Sequence, residues 1–121
     1  MIKQETSYPL LMKGVGVSTG VVIGKVKVVG SSSEADRIKS GDVMVCESNN
    51  IIQMYGAGGV RKASAIATDS RSQIHHLSEL SHEMNIPCVG GTEFATRLLQ
   101  DEQVIILDSI SGLVYGKEGE W

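Results

Sequence analysis

Residues 68–92 read TDSRSQIHHLSELSHEMNIPCVGGT, with two adjacent histidines near the middle of the stretch. Leu77, Leu80 and Met84 have the spacing of one apolar stripe on an α-helix. Asn85 suits a left-handed cap, and Pro87 ends the helix because it cannot continue the hydrogen-bond ladder. We therefore predict a helix over residues 76–84. Its polar faces are expected to carry Ser78, Glu79, Ser81 and Glu83.

The two histidines lie where a strand leads into this helix. Residues 63–68 form a small, apolar, β-permissive run, and residues 69–73 are polar turn material. Unpaired backbone N–H groups and the positive end of the helix dipole favour a phosphate there and disfavour an imidazolium. A neutral imidazole is a nucleophile, so His75 and His76 are candidate phosphoryl acceptors. The alternative is a solvated surface pair or a capping group.

Several motifs in this chain resemble one known family in both order and spacing. They resemble the phosphohistidine, or swivelling, domain of the PEP-utilising enzymes, which include pyruvate phosphate dikinase, PEP synthase, enzyme I and rifampicin phosphotransferase. The signature is carried by Thr68-Asp69, His76, Asn85-Ile86-Pro87 and Val89-Gly90-Gly91-Thr92. Similar pieces elsewhere are Gly14 to Gly20, Gly24-Lys25-Val26, Gly41 to Val45, Val104 to Asp108 and Gly112 to Tyr115.

The resemblance implies roles for individual residues. Counting back from Pro87 places the family's phosphorylated histidine on His76, with His75 as a supporting or alternative neighbour. Thr68, Arg71 and Ser72 are then the candidate phosphate-binding residues, and the Arg71 guanidinium matches phosphate oxygens in a bidentate way. This sequence departs from the family at four positions. Where the family has two glycines and a Thr-Ser pair, this chain has Arg71-Ser72 and Ile74-His75.

The order of elements predicts an α/β fold of the swivelling β/β/α type, a β-rich sandwich with a few short helices, and the resemblance implies the same. We expect a leading arm to about Met12, then strands over residues 15–17, 21–29, 42–46, 63–68 and 88–89, and a closing hairpin. A second helix is predicted over residues 92–99, capped by Thr92, with Ala95, Leu98 and Leu99 facing inward. Residues 1–121 are interpreted as a single domain.

Composition excludes several classes of function. The net charge of −3, with 21% charged residues, offers no basic footprint for nucleic acid. No apolar run is long enough for a membrane span, and the first residues lack the apolar core of a signal peptide. Cys46 and Cys88 are isolated in apolar settings, which fits buried thiols in a reducing cytoplasm.

Cofactors and partners follow from the resemblance. We expect no cofactor on this chain, with Mg²⁺ and ATP or PEP held by partner domains, namely an ATP-grasp nucleotide-binding protein and/or a PEP/pyruvate-binding protein. His75, Glu79 and His82 could share a metal-binding helix face, but no fourth ligand is recognisable and we expect no metal. The leading hypothesis is a phosphoryl carrier that is incomplete on its own. The alternatives are a degenerate, non-phosphorylated binding or regulatory module, and a structural piece of a larger assembly.

Overall fold

The computed structural model describes residues 8–18, 20–30, 34, 37–47, 62–72 and 74–116. Over these residues the chain forms strands and two helices. The strands are β1 Leu10–Lys13, β2 Val15–Gly16, β3 Val21–Val28, β4 Asp42–Cys46, β5 Ala65–Thr68, β6 Cys88–Gly90, β7 Val104–Asp108 and β8 Leu113–Gly116. The helices are α1 Ile74–Met84, between β5 and β6, and α2 Ala95–Leu98, between β6 and β7.

The strands form an eight-stranded sheet in the order β1-β8-β7-β3-β4-β5-β6-β2. Strands β3 to β6 run parallel to one another, and the remaining pairings are antiparallel. Only Gly14 separates β1 from β2, although these strands occupy opposite ends of the order, so the sheet must curl round on itself. The Gly14 amide donates to the Gly112 carbonyl at 2.7 Å, and a Cβ on Gly14 would lie 2.3 Å from the Gly90 carbonyl oxygen. The expected β-rich α/β architecture is confirmed, with one curled sheet supplying the layers.

The central strands are buried on both faces. All five residues of β4 are buried, and they alternate between two hydrophobic clusters. Val43 and Val45 join the cluster inside the curl, while Met44 and Cys46 join the cluster beneath α1. A strand covered on both faces reads as a continuous apolar run, which is why 42–46 was recognisable in the sequence.

Helix α1 packs on the sheet through Leu77, which is 1% exposed. A Cβ added to Gly90 would lie 2.7 Å from Ile74 Cδ1 and 2.8 Å from Leu77 Cδ2, so the glycine lets the helix approach the strand closely. Asn85 has φ 58°, which confirms the left-handed end of the helix. Ser81 was predicted on a polar face, but it is buried and its hydroxyl donates to the Ile86 carbonyl.

Two other expectations about local structure are wrong. The predicted leading arm includes strand β1, which pairs with β8 from Leu10 to Lys13. The second helix begins at Ala95 rather than at Thr92, and it has no side-chain cap from its own flanking residue. Thr92 instead donates its hydroxyl to the Thr68 carbonyl at 2.9 Å. Ala95 and Leu99 are buried as expected, whereas Leu98 is 57% exposed.

Both cysteines are buried and outside any disulfide, as the sequence predicts. Burial raises the pKa of the Cys88 thiol to about 12, partly offset by its contact with Ser81. The thiolate is the reactive form of cysteine, so Cys88 is chemically inert at neutral pH.

A nearly buried lysine ties β3 to its neighbours. Lys27 Nζ lies 3.6 Å from Asp42 Oδ2 and forms a close ion pair with Glu102. The hydrogen bond to Glu102 is the largest cause of the raised pKa of Lys27, and the same bond lowers the pKa of Glu102.

This ion pair predicts a stability profile that falls at both ends of the pH range. Because the folded pKa of Glu102 is lowered, its contribution is present above its unfolded value of about 4.3 and is lost as the pH falls through the folded pKa. Because the folded pKa of Lys27 is raised, its contribution is present below about 10.4 and is lost as the pH rises through the folded pKa. Melting temperatures measured from acid to alkaline pH should show shallower declines at both ends in Glu102→Gln. Superimposable profiles for the two proteins would contradict this assignment.

Candidate functional site

The candidate site lies at the edge where the parallel strands end. Strands β4, β5 and β6 are parallel neighbours, so their last residues, Cys46, Thr68 and Gly90, lie at the same edge of the sheet. Helix α1 follows β5 after a short connection, and its first turn therefore begins at this edge. Open α/β sheets bind ligands at the carboxyl ends of their parallel strands.

The two histidines occupy the second and third positions of α1. Successive helical residues are about 100° apart, and Leu77 faces the sheet, so His76 projects to one side of the helix while His75, about 160° from Leu77, points away from the sheet. His75 is exposed, whereas His76 is partly buried. The first turn of α1 contains no acidic residue, so no carboxylate there opposes a phosphate near the unpaired backbone N–H groups.

The outward side of α1 that carries His75 also carries Ser78, Glu79 and His82. The Ser78 hydroxyl, at the margin of this side, donates to the Val17 carbonyl at 3.3 Å, just past the end of β2. A cleft opens on this side of α1, lined in part by Glu79 and His82. Within the described ranges, no group of three or more His, Cys, Asp or Glu side chains is arranged to hold a metal ion.

The side of α1 that carries His76 borders the hydrophobic cluster beneath the helix. Leu80 and Met84 follow His76 on this side at helical spacing, and both pack on that cluster. His76 therefore lies beside the packed side of the helix, whereas His75 is on the outward side.

The three candidate phosphate-binding residues follow one another along the same edge but face different surroundings. Thr68 is 2% exposed, and its carbonyl accepts hydrogen bonds from the Thr92 amide and hydroxyl. The Arg71 side chain is exposed and pairs with Glu93, with Nε 2.8 Å from Oε2. The exposed Ser72 donates its amide to the Ser70 hydroxyl at 3.0 Å. Thr68 thus anchors the strand end, and Arg71 is held beside the 91–93 turn.

Asp69 is a residue whose role the sequence did not reveal. Its Oδ1 accepts the Thr96 amide at 3.0 Å, and its Oδ2 accepts the Thr96 hydroxyl. This carboxylate therefore caps α2, a role normally taken by the residue that immediately precedes a helix. Asp69 and Thr96 are separated by 27 positions, so no local pattern could have paired them. The contact joins the end of β5, which leads into the histidine helix, to the segment after β6.

A parallel-strand edge, a histidine in the first turn of the following helix and a Gly-Gly-Thr turn beside it define a domain of the phosphohistidine type. The family model described as "PEP-utilising enzyme, mobile domain" matches residues 38–112, more than half of the chain. The chain belongs to this family.

Relatives named PEP synthase align over most of the chain. A probable phosphoenolpyruvate synthase of Archaeoglobus fulgidus is 33% identical over 114 residues, which are 94% of this chain and 15% of that protein. The phosphoenolpyruvate synthase of Pyrococcus furiosus is 38% identical over 106 residues, covering 88% of this chain and 13% of that protein. The chain thus spans about a seventh of the length of these relatives.

Solved structures support the fold. A structure of enzyme I determined by NMR superposes with a TM-score of 0.55 at 17% identity, covering 66% of this chain and 32% of that chain. Aconitase X of Thermococcus kodakaraensis gives a TM-score of 0.64 at 20% identity, covering 88% of this chain and 98% of that chain.

Helices in the described part of the chain are too short to cross a membrane.

Proposed function

We propose that this chain is a phosphoryl carrier and that His76 accepts and passes on the phosphoryl group. The observation that carries the proposal is the position of His76 within the family-matched region: it stands in the first turn of α1, at the carboxyl edge of the parallel strands. The backbone N–H groups of that turn suit a bound phosphate, and the turn holds no carboxylate to repel it.

The proposed step is a transfer between two nucleophiles. One imidazole nitrogen of neutral His76 attacks the phosphorus of the donor, forming a P–N bond while the bond from phosphorus to the donor's leaving oxygen breaks. The leaving oxygen keeps the electron pair of the broken bond. In the second step an acceptor oxygen attacks the same phosphorus, the P–N bond breaks, and the imidazole returns to its neutral form.

His76 is favoured over His75 by its environment as well as by the resemblance. Partial burial beside Leu80 fixes the imidazole within a narrower set of orientations, and positioning of a nucleophile is a large part of phosphoryl-transfer catalysis. His75 is exposed on the outward side of α1. Arg71 would support the phosphorylated state by turning from Glu93 to the phosphate, since a doubly charged anion competes well for a guanidinium.

The remaining components of the reaction are assigned to partners. The chain corresponds to a small part of its much longer relatives, so the activities of the whole relatives require more than this domain. We propose that an ATP-grasp protein, a PEP/pyruvate-binding protein, or both act with it, and that they hold Mg²⁺ and ATP or PEP. Buried thiols outside any disulfide fit a cytoplasmic setting for this exchange.

Labelling with radioactive ATP or PEP tests the carrier role. The protein is incubated with the recombinant ATP-grasp and PEP-binding proteins of the same organism, and acid-labile, base-stable label is then measured. Wild type and His75→Ala are expected to be labelled, whereas His76→Ala is expected to lose all label, because the attacking nitrogen is gone. Circular dichroism checks that each variant is folded.

The same experiment separates the alternatives. Label lost only in His75→Ala would show that His75, rather than His76, is the acceptor. An absence of label from either donor, with both partners active on their own substrates, would favour a degenerate binding or regulatory module. This sequence departs from the family pattern at Arg71, Ser72, Ile74 and His75. These four departures are the reason to test for a degenerate module.

A further inference from the structure

The outer face of the antiparallel part of the sheet carries a continuous apolar row. Ile23 of β3 is directly opposite Ile106 of β7, Ile106 is opposite Tyr115 of β8, and Tyr115 is opposite Leu10 of β1. Residues directly opposite each other in antiparallel strands point to the same face. The neighbouring residues Ile105, Leu107 and Val114 point the other way, into the core. We call Leu10, Ile23, Ile106 and Tyr115 the outer row.

Two of the four residues of the outer row are exposed and two are partly buried. Ile23 is 64% exposed and Leu10 is 54% exposed, whereas Ile106 and Tyr115 are partly buried. The neighbouring Val21 is 57% exposed. Neither helix covers this face, because α1 lies over β6 and α2 packs against β4 and β5. Scattered apolar residues are ordinary on protein surfaces, whereas apolar residues that are contiguous across four strands form a patch to which another surface can bind.

The flanks of the outer row carry opposite charges. Lys25 lies two residues beyond Ile23 on β3, and Asp108 lies two residues beyond Ile106 on β7. Because β3 and β7 are antiparallel, these two residues are on opposite sides of the row. Val21, on the Asp108 side, is directly opposite Asp108.

We propose that two copies of this chain associate through this face, stacked sheet on sheet about a two-fold axis that runs along the outer row. The axis lays the row of one copy on the row of the other. It also exchanges the two flanks. Lys25 of each copy therefore lies over Val21 of the other copy, beside the Asp108 of that other copy. Neighbouring strands are about 4.8 Å apart, which a lysine side chain spans. A face with an apolar centre and opposite charges on its two sides is complementary to itself under this symmetry.

The size of the face sets the strength of the association. Four strands span about 19 Å and five residues along a strand span about 17 Å, giving roughly 300 Å² of flat area per copy. Stable interfaces bury about 800 Å² of accessible surface per partner, so this dimer belongs to the weak, concentration-dependent class. Within one copy, Lys25 Nζ already lies 3.6 Å from Glu102 Oε1 in an exposed ion pair. Lys25 would keep this ion pair in the dimer and contact the second copy as well.

Sedimentation velocity tests the proposal with the full chain from about 10 μM to about 1 mM, the range in which a weak interface assembles. Wild type is expected to shift from monomer to dimer over this range. Ile23→Lys should remain monomeric, because the two-fold axis would place the lysines of the two copies against each other at one end of the row. The matched control is Leu98→Lys, since Leu98 is similarly exposed but lies on α2, and it should dimerise like wild type.

The charged contact has its own measurement. Lys25→Gln and Asp108→Asn each remove one charge, and Asn keeps the Oδ1 acceptor that holds the turn amides of Ile110 and Ser111. Each single variant should raise the dimer dissociation constant, and the double variant should raise it by less than the product of the two effects. Wild type that stays monomeric at about 1 mM would overturn the proposal. So would a dimer that survives Ile23→Lys, since this would indicate association through a different face.

Discussion

Gly16→Ala is expected to destabilise the domain by about 3 kcal/mol or more, because the new methyl group would overlap fixed backbone. A Cβ on Gly16 would lie 1.9 Å from the Ser109 carbonyl oxygen and 2.7 Å from the Ser109 carbonyl carbon. Ser109 cannot easily retreat, since its amide and hydroxyl both donate to the Gly20 carbonyl at 2.9 Å. The contact between Gly16 and Ser109 joins the two ends of the curled sheet. The steric strain of the new methyl group would therefore fall at that junction.

The matched control for this substitution is Gly30→Ala. Among the described residues, a Cβ on Gly30 would meet only the end of the flexible Glu34 side chain, at 3.4 Å. This control should change the free energy of unfolding by less than about 0.5 kcal/mol. Urea unfolding measures both changes through the transition midpoint at constant slope. Equal midpoints for the two variants would show that the β2 contact with Ser109 is looser than the structure indicates.

Leu77→Ala is expected to cost about 2–5 kcal/mol, the range found for a buried leucine whose cavity only partly collapses. Leu77 is 1% exposed and is the helix's main contact with the sheet over Gly90. Gly90 has no side chain that could move into the cavity. The substitution therefore leaves the first half of α1, including the two histidines, with a weakened support.

Leu98→Ala is the control for Leu77→Ala, because it makes the same chemical change in a helical residue that is 57% exposed. It should alter the free energy of unfolding by no more than about 0.5 kcal/mol. Both values can be measured by urea denaturation. A cost for Leu98→Ala as large as that for Leu77→Ala would mean that burial does not govern the contribution of these leucines.

The sequence predicted the elements that depend on local pattern. The i, i+3, i+7 spacing gave the helix its position to within two residues of its observed start at Ile74, and Asn85-Ile86-Pro87 marked its end. The strands β4 and β7 were equally clear, because residues 43–46 and 104–107 are apolar in succession.

Errors occurred where a distant residue decides the local structure. Strand β1 was missed because its partner, β8, lies at the other end of the sequence, and Leu10 becomes a strand residue only by pairing with Tyr115. Thr92 has the composition of a helix cap, but the Thr68 carbonyl competes for its hydroxyl and Asp69 supplies the cap instead. Leu98 has the spacing of a buried helical position, but α2 has only four residues and does not bury it.

The chemistry of the site was determined by the sequence alone: a histidine pair in the first turn of a helix, bounded by a family signature that includes Pro87 and Gly90-Gly91-Thr92. Only the tertiary structure decided how exposed each histidine is. The 100° step of the helix separates His75 from His76 in any context, but the packing of Leu77 on the sheet leaves His75 exposed and His76 partly buried. That packing needs a sheet whose hydrogen bonds join strands far apart in the chain, and no short stretch of sequence contains them.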